Sequence, residues 1–224
     1  MLLVSRPDGA ARLDNFRLVE TPLNDGELRV RNHFLSLDPY MRGRMSTAKS
    51  YAAPQPLDAV MIGETTGEVI ESRHAGFAVG DRVTGMFGWQ THGTSNGAGL
   101  RKLGASRVPL SACLSVVGMP GVTAWYGLNR IVEPKRGETV VVSAASGAVG
   151  SVVGQLAKCA GCRVIGIAGG ETKCRFVVET LGFDACVDYK AGRIAEDLAA
   201  TAPDGIDGCF ENVGGPGLDR RSRR

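Results

Sequence analysis

ETVVVSAASGAVGSVVGQLAKCAGCRVIGIAGG, residues 138–170, is the stretch whose reading decides the fold. Thr139 to Val142 is a short, uncharged, β-branched run, as expected of a strand buried on both faces. A turn of small residues, Ala144 to Gly150, follows at once. Beyond it Val152, Val153, Leu156 and Ala157 recur at helical spacing until Gly161 closes the helix. Arg163 to Ala168 is a second buried strand. Strand, small-residue turn, helix and strand make a βαβ unit. In such a unit the turn is where a dinucleotide pyrophosphate would sit: Gly147 and Gly150 let the backbone approach closely, and the helix N-terminus offers unpaired N–H groups and positive dipole, with a plain packing turn of small residues as the competing reading. The turn spells A-x-x-G-x-x-G, with Ala144 where the commoner fingerprint carries glycine.

Composition narrows the function classes. The 224 residues suffice for one large or two small domains, and 43% hydrophobic with 22% charged residues is ordinary for a globular protein. The net charge of +3 comes from Arg220, Arg221, Arg223 and Arg224; without those four the rest of the chain stands at −1. A basic surface built across a fold would not vanish with one tail, so no nucleic acid is expected as a partner. Apolar runs are too short to span a bilayer and the N-terminus lacks a signal-peptide core. No membrane association and a cytoplasmic location are therefore expected. Of the six cysteines, Cys159 and Cys162 are spaced C-x-x-C, but they straddle the glycine that ends a helix and no second pair follows. Small buried hydrophobes describe them better than redox or zinc ligands.

Upstream, residues 1–115 are rich in short β-like runs. Leu28 to Asn32 alternates as a half-buried antiparallel strand does, and Gly67 to Glu71 and Asp81 to Thr84 read the same way. A loop of low hydrophobicity is expected over Thr91 to Gly99. Leu110 to Val117 and Gly121 to Val132 turn helical, with a compact face from Thr123, Ala124, Tyr126, Gly127 and Leu128. From Glu138 the pattern is βαβαβαβ, with strands near 139–143, 163–168, 185–188 and 206–211 and helices near 150–160, 172–181 and 193–201. That alternation specifies an α/β fold with a covered parallel sheet.

Nucleotide folds of this type that prefer NAD place an acid at the tip of the second strand, on the ribose hydroxyls. Here the tip reads Ala168-Gly169-Gly170, with Lys173 close behind. A missing acid and a nearby cation suit a ribose 2′-phosphate, favouring NADP(H). A first-turn lysine is by itself an ordinary solvated residue, and Glu171 competes as a ribose-binding acid; the absent acid at Gly169 tips the balance.

Several segments carry a family likeness: residues 35–45 (LSLDPYMRGRM), 117–124 (VGMPGVTA), 144–158 (AASGAVGSVVGQLAK), 181–184 (LGFD) and 211–215 (ENVGG). In order and spacing the chain resembles the zinc-independent medium-chain dehydrogenase/reductases, in particular the prostaglandin reductase and alkenal double-bond reductase group. The resemblance implies a GroES-like mostly-β domain over 1–115 and a Rossmann NADP-binding domain over 116–218, with NADPH in the cleft between them. It implies hydride transfer to the β-carbon of α,β-unsaturated ketones or aldehydes, followed by proton addition at the α-carbon. Carried over by position, Gly147, Ala148, Val149 and Gly150 meet the pyrophosphate. Lys173 and Tyr189 hold the 2′-phosphate, Asn212 contacts the cofactor, Met119 and Thr123 flank the nicotinamide, and Tyr40 and Trp89 line the substrate pocket. Core packing is the competing reading for Tyr40, Met119 and Trp89. Zinc is not expected: no cysteine precedes Cys113, Gly63-Glu64 lacks the neighbouring histidine of zinc relatives, and His33, His74 and His92 lack ligand spacing.

A full dinucleotide fold has six strands, and only four are legible here. The Rossmann domain is thus expected to be its first half. The catalytic proton donor, left unassigned, and part of the family's homodimer contacts are expected beyond Arg224. The ending 219–224 (DRRSRR) departs from the likeness and reads as an aberrant basic tail from an interrupted gene. Three functions stay open at this point: an enone or enal reductase, a quinone oxidoreductase of the same superfamily, and an inactive cofactor-binding fragment.

Overall fold

The computed structural model describes residues 1–104 and 107–214; the basic tail lies outside them. The chain divides into a unit Met1–Leu114 and a second beginning at Ser115.

In the first unit, β1 (Leu2–Leu3), β2 (Phe16–Arg17) and β4 (Ala59–Val60) form a small sheet in the order β2-β1-β4. The larger sheet uses β3 (Leu28–Leu35), β5 (Thr65–Ser72), β6 (Arg82–Gly85), β7 (His92–Ser95) and β8 (Arg101–Leu103), antiparallel throughout in the order β7-β3-β5-β6-β8. The alternation of β3 buries Leu28 and Val30 against Val69, Val83 and Phe87. The expected loop at Thr91 to Gly99 instead contains β7, an edge strand paired with β3 through Val30 and Gly93. An edge strand needs backbone groups rather than apolar side chains, and Gly93 lies under the Phe87 ring, where a Cβ would collide. One short helix, α1 (Tyr40–Arg44), packs Met41 with Met45, Leu3 and Met61 in a second cluster.

The second unit opens with α2 (Met119–Gly127), continued by a wider turn over Leu128–Val132. Its buried residues are Pro120, Gly121 and Ala124, joined by Leu128, whereas Thr123 and Tyr126 are exposed, so the helical face read from the sequence is only half correct. Four parallel strands follow: β9 (Thr139–Val142), β10 (Arg163–Ala168), β11 (Ala185–Asp188) and β12 (Gly208–Phe210), in the order β11-β10-β9-β12. Helices α3 (Gly150–Cys159), α4 (Glu171–Arg175) with a wider turn over Phe176–Thr180, and α5 (Ile194–Thr201) connect them. The valine run of β9 serves both faces of the sheet. Val140 and Val142 join Val164, Val153 and Ala157 in one cluster, while Val141 joins Ile165, Ile167, Val187 and Leu198 in the other. Each such side chain contributes about 1.5–3 kcal/mol by leaving water, which is why the charges of these strands, Arg163 and Asp188, stand only at their ends.

Two local devices fix α3 in place. Gly161, at φ 84°, ends it: its N–H donates to the Lys158 oxygen and that of Cys162 to the Ala157 oxygen, a Schellman close. Cys162 is thereby buried and Cys159 left exposed, on opposite sides of the turn. At the far side Asp184 accepts from the Val164 N–H at 2.6 Å and from the Lys158 ammonium at 2.8 and 2.9 Å, tying α3 to β10. Partial burial by itself raises the Asp184 carboxyl, but the Lys158 ammonium and the Val164 N–H outweigh it and hold it below its ordinary range. A carboxyl depressed in the folded state stabilises above its unfolded pKa and loses that contribution as pH falls through the folded one. Urea midpoints of the wild type should therefore fall towards those of Asp184→Asn below about pH 4, with a gap on the order of 1 kcal/mol near neutrality. A pH-independent gap would refute this role.

Candidate nucleotide site

All four strands are parallel, so the turns after them gather at one edge of the sheet. The chain runs outward from β9 through β10 to β11 and then crosses to β12 on the other side. The reversal opens a crevice at the tip of β9, where open sheets of this kind bind ligands.

The β9–α3 turn is shaped by two backbone demands. Ala144 has φ 46°, in the left-handed region, and its oxygen accepts from the Gly147 N–H at 2.8 Å. Any side chain at Gly150 would run into that same oxygen, so glycine there lets α3 pack against the turn. Counted back from Gly147, the first glycine of G-x-G-x-x-G falls on Ala145 rather than Ala144. Ala145 is buried, its N–H donates to the Ile167 oxygen, and its methyl occupies the notch left by Gly166. No side chain caps the start of α3 at Val149, and Ala148 is exposed. An anionic group would find here the positive end of the α3 dipole, the Ser151 and Val152 N–H groups already donating to the Gly147 and Val149 oxygens.

At the tip of β10 the missing acid acquires a physical reason. A Cβ on Gly169 would sit 2.6 Å from Cε1 and 2.8 Å from Cζ and the hydroxyl oxygen of Tyr189. The tyrosine ring thus stands where a ribose-binding acid would begin. Gly170, at φ 93°, then turns the chain into α4, whose first turn carries the exposed Lys173. Glu171, the competing acid, pairs with Arg175 at 3.2 Å along α4. Lys173 and Tyr189 therefore sit on adjacent turns at neighbouring strand tips.

The β12 turn is tied to β9 by a polar network. The Ser143 hydroxyl donates to Glu211 Oε1 at 2.7 Å and accepts from the Asn212 N–H at 2.7 Å. The Asn212 amide donates to the Ser143 oxygen at 3.0 Å, and Glu211 Oε1 also accepts from the N–H groups of Val213 and Gly214. Asn212 thus has a bracing task on the rim of the crevice. Met119 and Thr123 lie one turn apart on the exposed side of α2, the threonine hydroxyl donating to the Met119 oxygen at 2.9 Å.

Tyr40 and Trp89 belong to the first unit. Both pack on the Leu3, Met41, Met45 and Met61 cluster. Trp89 stacks on Phe16 at 5.3 Å between centroids, and its indole N–H is buried without a hydrogen-bond partner. With Met1, Leu13, Phe16 and Leu18 it also lines a cavity of about 460 Å³. Burial, with Asp38 and Glu64 nearby, pushes the Tyr40 phenol up and keeps it protonated at neutral pH. Among the described residues no cluster of three or more His, Cys, Asp or Glu could hold a metal ion, and no helix is long and apolar enough to cross a membrane.

Sequence reading missed Ser143, Glu211 and Asp188. Oδ1 of Asp188 accepts from the Gly170 N–H at 2.8 Å and the Lys190 N–H at 2.9 Å. A polar residue ending an apolar strand was the available signal for Ser143 and Asp188.

Comparison with known proteins gives two family matches: an N-terminal domain of oxidoreductases over residues 1–103 and a model described as zinc-binding dehydrogenase over residues 148–221. The chain is 50% identical over 222 residues to an NADPH-dependent curcumin reductase of Escherichia coli, covering 97% of this chain and 64% of that protein. It is 46% identical over 208 residues to rat prostaglandin reductase 1, covering 90% of this chain and 61% of the relative. Among solved structures, CurA of Vibrio vulnificus in complex with NADPH superposes with a TM-score of 0.92 at 52% identity, over 98% of this chain and 66% of that one. The chain thus spans somewhat under two thirds of the length of these curated relatives.

Proposed function

We propose that this chain, which belongs to the zinc-independent medium-chain dehydrogenase/reductase family, holds NADPH for the reduction of the carbon–carbon double bond of α,β-unsaturated ketones and aldehydes. The observation that carries the cofactor choice is the Tyr189 ring against Gly169, which stands where a ribose-binding acid would begin, beside Lys173. The names of the relatives, an NADPH-dependent curcumin reductase and a prostaglandin reductase, support the substrate class.

The residues present fit this cofactor. Gly147, Ala148, Val149 and Gly150 offer backbone and the uncapped start of α3 to the pyrophosphate. Lys173 supplies a point charge to the 2′-phosphate, with Tyr189 closing over it. Asn212 holds the rim at β12, and Met119 and Thr123 flank the nicotinamide. Tyr40 and Trp89 serve the substrate, the tyrosine as a protonated hydrogen-bond donor. The bound cofactor supplies the hydride; the protein orients and polarises.

Fluorescence titration of the 224-residue chain with NADPH and NADH tests this reading. NADPH is expected to bind at least tenfold more tightly. Lys173→Ala should weaken NADPH about tenfold, the worth of one charge-assisted contact, while leaving NADH unchanged. Equal binding of the two cofactors, or an effect of Lys173→Ala on both, would overturn the assignment. Turnover of an enone by the NADPH-loaded chain, with a matched quinone as the comparison substrate, tests the reaction class.

A further inference from the structure

Resting on that NADPH reading, we infer that Asp188 is the positioning residue of the phosphate-binding corner, one carboxylate oxygen locking the Lys173 turn and the Tyr189 turn into a single clamp. β10 and β11 run parallel with Ala168 opposite Asp188, so the two turns emerge side by side. Oδ1 of Asp188 then makes two bonds of different reach. The one to the Lys190 N–H, at 2.9 Å, stays within its own turn and is an ordinary Asx cap. The one to the Gly170 N–H, at 2.8 Å, crosses to the turn of the neighbouring strand, 18 residues earlier. A local cap has no use for the second bond.

That cross-strand bond anchors the backbone on both sides. Gly170 is held at φ 93°, and its oxygen accepts from the Lys173 N–H at 3.1 Å as α4 begins. Tyr189, next in the chain to Asp188, is set with its ring on Gly169. The cation and the aromatic ring proposed to meet the 2′-phosphate therefore owe their relative placement to one side chain that touches neither. Two N–H groups converging on the Asp188 carboxyl hold it below its ordinary range, the Gly170 bond contributing most, so it is ionised throughout the neutral range.

Three proteins and two readouts test this: wild type, Asp188→Ala and Asp188→Asn. The asparagine keeps an Oδ1 that accepts both bonds while removing the charge. NADPH affinity is expected to fall about tenfold in Asp188→Ala and to stay within about threefold of wild type in Asp188→Asn, with NADH affinity little changed in either. Hydrogen exchange of the ligand-free chain is the second readout. In Asp188→Ala, exchange should rise in segment 168–175 as well as in 187–192. A rise confined to 187–192 would reduce Asp188 to a local cap and overturn the inference. An Asp188→Asn variant as impaired as Asp188→Ala would also overturn it. Should the wild type fail to bind NADPH, the functional reading falls, and the exchange pattern decides the clamp alone.

Discussion

Phe183→Ala is expected to destabilise the second unit by about 3–5 kcal/mol, a large fraction of the ~5–15 kcal/mol that keeps a domain folded. The ring is 3% exposed and belongs to the main cluster of this unit. It fits two glycine notches at once. A Cβ on Gly154 of α3 would overlap the ring, and one on Gly166 of β10 would lie 3.2 Å from it. The Gly166 notch is shared with the Ala145 and Val177 methyls, 2.8 Å from the same point, so the surroundings relax only in part into the vacated space and most of the cavity term is felt. A urea titration followed by circular dichroism measures the loss. The converse variant, Gly154→Ala, drives a methyl into the ring and should cost about 1–3 kcal/mol through overpacking. A Phe183→Ala loss below about 1 kcal/mol would show that the wedge is not what holds α3 on the sheet.

The other large effect is expected at Gly169. Gly169→Asp should weaken NADPH binding by about a hundredfold, because two penalties fall together. The new Cβ must displace the Tyr189 ring, 2.6 Å away, and the carboxylate brings a like charge to the place proposed for the 2′-phosphate. Gly169→Ala separates them: it keeps the steric part and lacks the charge, so an intermediate loss, on the order of tenfold, is expected. The same aspartate should leave NADH binding equal or improved, since ribose hydroxyls are ligands for an acid. Wild-type NADPH affinity in Gly169→Asp would mean that the adenosine end is bound elsewhere. The two substitutions act on different quantities. Phe183 reads out in stability, Gly169 in cofactor discrimination at preserved fold.

The α/β architecture was legible because its signals are local. Four uncharged, β-branched residues at Thr139 to Val142 read as a strand buried on both faces, and Gly161 after a helical pattern reads as its end. The glycine-bearing turn between β9 and α3 was legible for the same reason, since close backbone approach admits few residue types. Two errors share one cause. Met119 to Leu128 is apolar on nearly every side, so periodicity could not tell the face built on Ala124 and Leu128 from the exposed one carrying Thr123 and Tyr126. The stretch over Thr91 to Gly99 is polar, yet β7 forms within it because pairing with β3 asks only for backbone. By itself, then, the sequence determined the βαβ order, the glycine-bearing turn and the lack of an acid at residue 169. Tertiary structure alone decided which side chain takes the acid's place and which one ties it down. Tyr189 and Asp188 lie about 20 positions further on and reach Gly169 and Gly170 only because β10 and β11 run parallel and in register, a pairing across the sheet that no local pattern encodes.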